Sequence, residues 1–134
     1  MFVGDRITTF AGILPKPVSN GKTKGEAIRG VSRVVTLPDW QGLGLAFVLL
    51  DKLGAAYKAL GLRFRNYPAH PAFVRGHERS ANWQTMKRAG VFSGVSGLTE
   101  HSNAGWGGRP CGVFEYIGPA IDRREAERLL AIAA

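Results

Sequence analysis

The residues with the most chemical content in this chain are Gln41-Gly42-Leu43-Gly44-Leu45-Ala46. They follow Ile28 to Leu37, a β-branched run that reads as a strand and is closed by Pro38-Asp39. They open the strongest helical pattern in the sequence, Gly42 to Leu60, in which Leu43, Phe47, Leu50 and Gly54 recur at helical spacing and Gly61 is the natural stop. Glycines at such a junction let backbone N–H groups point outward with no side chain in the way. A helix start adds partial positive charge. Together these features suit a pyrophosphate. The turn lacks the Gly-Lys-Ser/Thr ending of a P-loop. It also does not fit GxGxxG, and no second βαβ unit follows, so it is not a dinucleotide fingerprint. The alternative is a plain tight turn from strand to helix.

A second feature is basic. From Lys58 to Arg88 the chain carries Lys58, Arg63, Arg65, Arg75, Arg79, Lys87 and Arg88 against the single acid Glu78, with Tyr67, Phe73 and Trp83 interleaved. Arginine mixed with aromatic residues can grip phosphates and stack bases. The whole chain follows the same trend, with 18 Lys+Arg against 10 Asp+Glu and a formal charge of +8. Such a balance favours polyanionic partners: DNA or RNA, an acidic protein surface or a phosphate-rich cofactor. The alternative is a solvated basic rim around core aromatics, with the charge serving solubility.

The elements that must position these groups follow from local pattern. Met1 to Val3, the turn Gly4-Asp5-Arg6 and the strand Ile7 to Leu14 read as a hairpin ended by Pro15 and Pro17. Ser19 to Glu26 is a polar loop. After the glycine turn and its helix, Leu62 to Tyr67 alternates as a strand and Pro68 to Phe73 breaks it. A short helix is expected around Phe73 to Glu78, and a short strand at Val91 to Val95. Gly97 to Gly108 is a loop carrying His101 and Trp106. Gly112 to Ile117 is a strand, and Asp122 with Glu125 starts a last helix, Arg123 to Ala133, whose apolar set is Ala126, Leu129, Leu130 and Ala133. Helices alternate with strands only in the middle of this order. The expected class is therefore α+β with a mixed sheet.

At 134 residues, 45% hydrophobic and 21% charged, the chain has the size and composition of one folded domain spanning 1–134. The lone Cys111 allows no intrachain disulfide and no Cys-rich zinc site. The longest apolar stretch, Leu43 to Leu50, is too short to span a bilayer. The start shows no leader pattern. A cytoplasmic protein without membrane contact is expected.

The stretch Ser32 to Ala46 closely resembles motif A of the GNAT (GCN5-related N-acetyltransferase) acyltransferases. The family pattern is Gln/Arg-x-x-Gly-x-Gly/Ala after the fourth strand, and Gln41, Gly44 and Ala46 occupy its three defined places. Ile7 to Pro17 looks like the family's third strand. His70-Pro71, Arg79-Ser80, Asn82-Trp83 and Glu115-Tyr116-Ile117-Gly118 are similar to a subgroup of the same family. A more distant likeness is to the phage Mom-type DNA-modification proteins, which are relatives of that family. The resemblance implies a mostly antiparallel sheet flanked by helices. It implies acetyl-coenzyme A as cofactor, with its pyrophosphate on the amides of Leu43, Gly44, Leu45 and Ala46. Gln41 and Gly42 fall at the rim, and the strand through Val35 and Leu37 lies along the pantetheine arm. The residues before Ile7 are too few for the family's first strand and two helices, which usually wall the acceptor site. A partner subunit such as a second copy, a large acceptor, or chain beyond this sequence would then supply that wall.

The chemistry the resemblance implies is attack of an amine on the thioester, with a base for the amine and an acid for the leaving thiolate. Tyr116 is a candidate acid. Its neighbour Glu115 must face the other side of the strand, so either could reach the site but not both. His70 is a candidate base, and Ser80 and Asn82 are candidates to orient the thiolate or the cofactor. Arg63, Arg65, Arg75 and Arg79 are candidates for an acidic acceptor or nucleic acid. Each has a structural alternative: strand packing for Tyr116, turn stabilisation for His70, helix capping for Ser80 and Asn82. His77 and Glu78 could equally be a solvated face, and Cys111 a small core residue. The three histidines have no metal-ligand spacing, so no metal is expected. Three functions remain open at this stage: an N-acyltransferase, a Mom-like enzyme that modifies a nucleic-acid base, and a module that binds coenzyme A or a partner without turnover.

Overall fold

The computed structural model describes residues 1–16, 27–89 and 111–132. A two-stranded ribbon, β1 (Phe2–Val3) with β2 (Arg6–Ile7), precedes a five-stranded sheet. The sheet contains β3 (Thr9–Lys16), β4 (Ile28–Thr36), β5 (Arg63–Asn66), β6 (Trp83–Lys87) and β7 (Val113–Tyr116), in the order β3-β4-β5-β7-β6. Helices α1 (Leu45–Ala59), α2 (Pro71–Arg79) and α3 (Arg123–Ile132), with a single 3-10 turn at Pro38–Trp40, complete the described elements. The class is α+β with a mixed sheet: only β4 and β5 pair in parallel, and the other three pairings are antiparallel.

Strand β5 shows why helices cover one face of the sheet. Phe64 and Asn66 are buried, and Arg63 and Arg65 alternate with them to the other side. Phe64, Phe114, Trp83 and Tyr116 form the core with Leu50 and Leu53 of α1 and Val74 of α2. Helix α3 packs along α1 through Ala126, which is fully buried. Its start is capped as the sequence suggests, with Asp122 Oδ1 accepting from the backbone N–H of Arg124 and Glu125. Gly54 of α1 lies against the ring of Tyr116, where a Cβ would collide.

Several boundaries differ from expectation. Strand β3 begins at Thr9 because Ile7 belongs to the ribbon, and it runs through Pro15 to Lys16. Proline is tolerated there because β3 is an edge strand. Helix α1 begins at Leu45, not Gly42, because Gly42 and Gly44 both take positive φ. Helix α2 begins two residues early, with Pro71 in its first turn and His70 as its cap. Strand β6 was not anticipated, since W-Q-T-M-K alternates poorly and Gln84, Thr85 and Met86 are all exposed. The strand expected at Val91 to Val95, the loop with His101 and Trp106, and the polar loop Ser19 to Glu26 lie outside the described residues.

The close approach of α1 to β7 gives the first prediction. Gly54→Val should lower the free energy of unfolding by about 1–3 kcal/mol, measured by urea denaturation, because the ring of Tyr116 has no room to give. An unchanged midpoint would contradict this packing.

Candidate functional site: a cleft where two parallel strands part

The bonds between β4 and β5 cover only Ile28–Arg63, Arg29–Phe64 and Gly30–Arg65. Beyond Gly30, β4 continues to Thr36, held only by β3 on its other side. Beyond Asn66, β5 turns away at Pro68. The gap is a cleft of about 630 Å³. Its walls are Val31 to Val34 and Thr36 on one side and Asn66 to His70 on the other, with Trp40, Phe47 and Phe73 between. That size suits a cofactor-sized ligand.

The glycine turn closes one end of the cleft. Gln41, Gly42, Gly44, Leu45 and Ala46 line it. Gly44 is the N-cap of α1 in the left-handed conformation, φ 73° and ψ 10°, and no side chain caps the helix. The first N–H groups of a helix have no partner within it. At Leu45 and Ala46 they border the cleft with only glycine in front. A Cβ at Gly42 or Gly44 would meet nothing within 4 Å, so these positions need glycine for backbone conformation, and the space ahead of them is open. Gln41 ties the turn to the strand, its Nε2 donating to the Thr36 carbonyl at 3.0 Å.

The described lining residues include Arg33, Tyr67 and His70 but no carboxylate. Burial pushes the Tyr67 phenol above its usual range, and the neighbouring, hydrogen-bonded Arg65 guanidinium opposes that shift. An arginine can only donate, so the phenol oxygen accepts from Arg65 and retains its own proton to give. Arg65 is held in turn by Glu115, whose Oε1 accepts from Arg65 Nε at 2.8 Å and from Arg63 Nη2 at 2.7 Å. His70 Nδ1 accepts from the Ala72 N–H at 3.3 Å and caps α2. The neutral ring therefore carries its proton on Nε2. This is the turn-stabilising role that stood beside the expectation of a base, and the ring still borders the cleft.

Other sequence-derived candidates lie elsewhere. Tyr116 is in the core, where its hydroxyl donates to the Pro119 carbonyl at 3.0 Å, and neither Tyr116 nor Glu115 lines the cleft. Ser80 ends α2, and its Oγ accepts from the Asn82 N–H. Asn82 donates to Asp51 Oδ2 at 3.1 Å, beside the bond from Trp83 Nε1 to Asp51 Oδ1 at 2.7 Å. Both residues are structural in this turn and do not border the cleft. Val35 and Leu37 do not line it either, whereas Val31 to Val34 and Thr36 do. The side chain of Leu43 is exposed and outside the lining. Arg63 and Arg65 share Glu115, whereas Arg75 and Arg79 are exposed on α2.

Sequence reasoning missed Asn66 and gave Tyr67 no role in the site; the signal was their place at the end of the strand that pairs with β4. It also left a solvated face open for His77, whereas His77 is fully buried. Its ring is enclosed by those of Phe47, Phe73, Trp83 and Phe114. Among the described residues no group of His, Cys, Asp and Glu side chains is placed to hold a metal ion, and no helix is long and apolar enough to cross a membrane. No protein-family model, curated protein or solved structure matches the chain.

Burial holds the His77 imidazole below its ordinary value of 6.5, against the Phe73 carbonyl and Asp51, which raise it. The unfolded chain therefore binds a proton at a higher pH than the folded one. This contribution to stability is complete above pH 6.5 and is lost as pH falls toward the folded value, with a slope of at most about 1.4 kcal/mol per pH unit. Thermal melts from neutral pH to about pH 5 should show this loss, and His77→Gln should flatten the profile in that window. A wild-type profile already flat there would contradict the burial of a neutral ring.

Proposed function

We propose that the chain is a GNAT-type acyltransferase that binds acetyl-coenzyme A in the β4/β5 cleft and transfers the acyl group to an amine. One observation carries this reading. The uncapped start of α1, opened by left-handed Gly44, faces the gap made where the only parallel strand pair among the described residues comes apart. Unpartnered N–H groups and the helix dipole suit a pyrophosphate at that end. The unpaired edge of β4 from Val31 to Thr36 offers backbone groups to the amides of a pantetheine arm. The thioester then lies toward the fork, near Asn66 and Tyr67.

Acyl transfer needs an acceptor nitrogen held in line with the thioester carbonyl and a donor for the departing sulfur. The phenol of Tyr67 and the Nε2–H of His70 are two hydrogen-bond donors of the lining that can meet the departing sulfur. With no carboxylate among the described lining residues, this reading favours an acceptor that enters as a neutral amine, one of low basicity. The lack of a carboxylate among the described lining residues also supports a second reading, a module that binds the coenzyme without turnover. A Mom-like role on nucleic acid draws less support, since Arg63 and Arg65 are engaged by Glu115.

Calorimetry with acetyl-coenzyme A tests the proposal. Wild-type protein should bind one equivalent. Gly44→Gln, which fills the approach and strains the turn, should weaken binding by at least about 100-fold while the circular dichroism spectrum is kept. Equal affinity in the variant would remove the glycine turn from the site.

A further inference from the structure

His77 is the buried titratable group that the proposed chemistry leaves unused, and its bonds lead to the cleft. Nδ1 lies 2.8 Å from the Phe73 carbonyl and Nε2 lies 3.1 Å from Asn66 Nδ2. A carbonyl can only accept, so Nδ1 carries the proton. In the neutral ring Nε2 is then an acceptor, and Asn66 must present its NH₂ to it. This fixes the orientation of the carboxamide. Its Oδ1 is turned to the Tyr67 N–H, which donates to it at 2.9 Å. Asn66 is 4% exposed, and Asn66, Tyr67 and Phe73 all line the cleft.

From this chain of hydrogen-bond polarity, we propose that His77 and Asn66 are positioning residues of the cleft, and that the lip at Tyr67 is held only while His77 is neutral. The inference of a held lip stands on the geometry; its consequence for coenzyme binding rests on the acyltransferase reading. Proton uptake places a second N–H on the ring, facing the Asn66 NH₂. Two donors cannot share that contact, so the carboxamide must turn over and give its oxygen to Nε2. Its NH₂ then faces the Tyr67 N–H, and the backbone at the lip loses its acceptor. The groups around His77 are aromatic on every side: Phe47 from α1, Trp83 from β6, Phe114 from β7 and Phe73 from α2 itself. Among the described residues the one carboxylate acting on it is Asp51 of α1, which already accepts from Trp83 and Asn82. Among the described residues no group in this surround replaces Asn66 as acceptor for a protonated Nε2.

Nuclear magnetic resonance on the free protein tests this without any ligand. The Tyr67 amide and the His77 ring should titrate together, with one midpoint below 6.5. In Asn66→Asp, a carboxylate can accept from both neighbours, so the Tyr67 amide should stay constant and the His77 midpoint should rise. Amide exchange near neutrality needs no titration: Asn66→Ala should speed exchange at Tyr67 by about tenfold and leave Phe64 unchanged. A Tyr67 amide that stays constant while wild-type His77 titrates, that moves alike in Asn66→Asp, or that exchanges at the wild-type rate in Asn66→Ala overturns the proposal. Calorimetry with coenzyme A at about pH 7.5 and about pH 5.5 separates it from the functional reading. Affinity that falls with pH in wild type but not in Asn66→Asp joins the two. No binding at either pH refutes the coenzyme site and leaves the resonance result to decide the role of His77.

Discussion

Strand β4 keeps its bonds to β3 over its whole length but loses those to β5 after Gly30, and the rest of the site depends on that asymmetry. A sheet edge exposed inside a fold carries backbone donors and acceptors that something must meet. Here the protein meets one of them itself, through Gln41 on the Thr36 carbonyl. The same bond fixes the glycine turn against the end of the strand and aims the start of α1 into the gap. The helix N-terminus, the open strand edge and the aromatic walls are thus consequences of one parting of strands.

The two sides of the sheet serve this gap differently. On the helix side, rings packed around a fully buried His77 make a rigid floor, and Asn66 carries that rigidity to the lip. On the other side, two arginines converge on Glu115, and Arg65 also reaches the phenol of Tyr67. Tyr67 is therefore fixed at its backbone by one network and at its side chain by the other. Part of the basic segment is thereby committed to holding the site, which lessens the weight of net charge as an argument for a nucleic-acid partner.

The elements of the site were largely legible in the sequence, and its membership was not. Ile28–Thr36, α1 and the glycine turn could be read because β-branched run, helical period and glycine pair agree at every level. Tyr116 misled because strand position says nothing about which face looks at a ligand; Gly54 opposite it, an unusual residue in a helix interior, was the available hint of a buried ring. The strand itself was found, but Val35 and Leu37 lie outside the lining that Val31 to Val34 and Thr36 supply. His70 borders the cleft, but its ring is engaged in capping α2, a contact visible only once Pro71 is known to begin that helix. His77 could not be read as buried because Arg75, Glu78 and Arg79 around it look like a solvated face.

The central claim is that a phosphate-bearing coenzyme lies with its pyrophosphate on the start of α1 and its arm along β4. Amide chemical-shift mapping of isotopically labelled protein during titration with acetyl-coenzyme A tests it most directly. The account predicts saturable shifts centred on Gly42 to Phe47 and on Val31 to Thr36, falling away toward α3. Shifts centred on Arg75 and Arg79, or the absence of saturable shifts at the glycine turn, would contradict it.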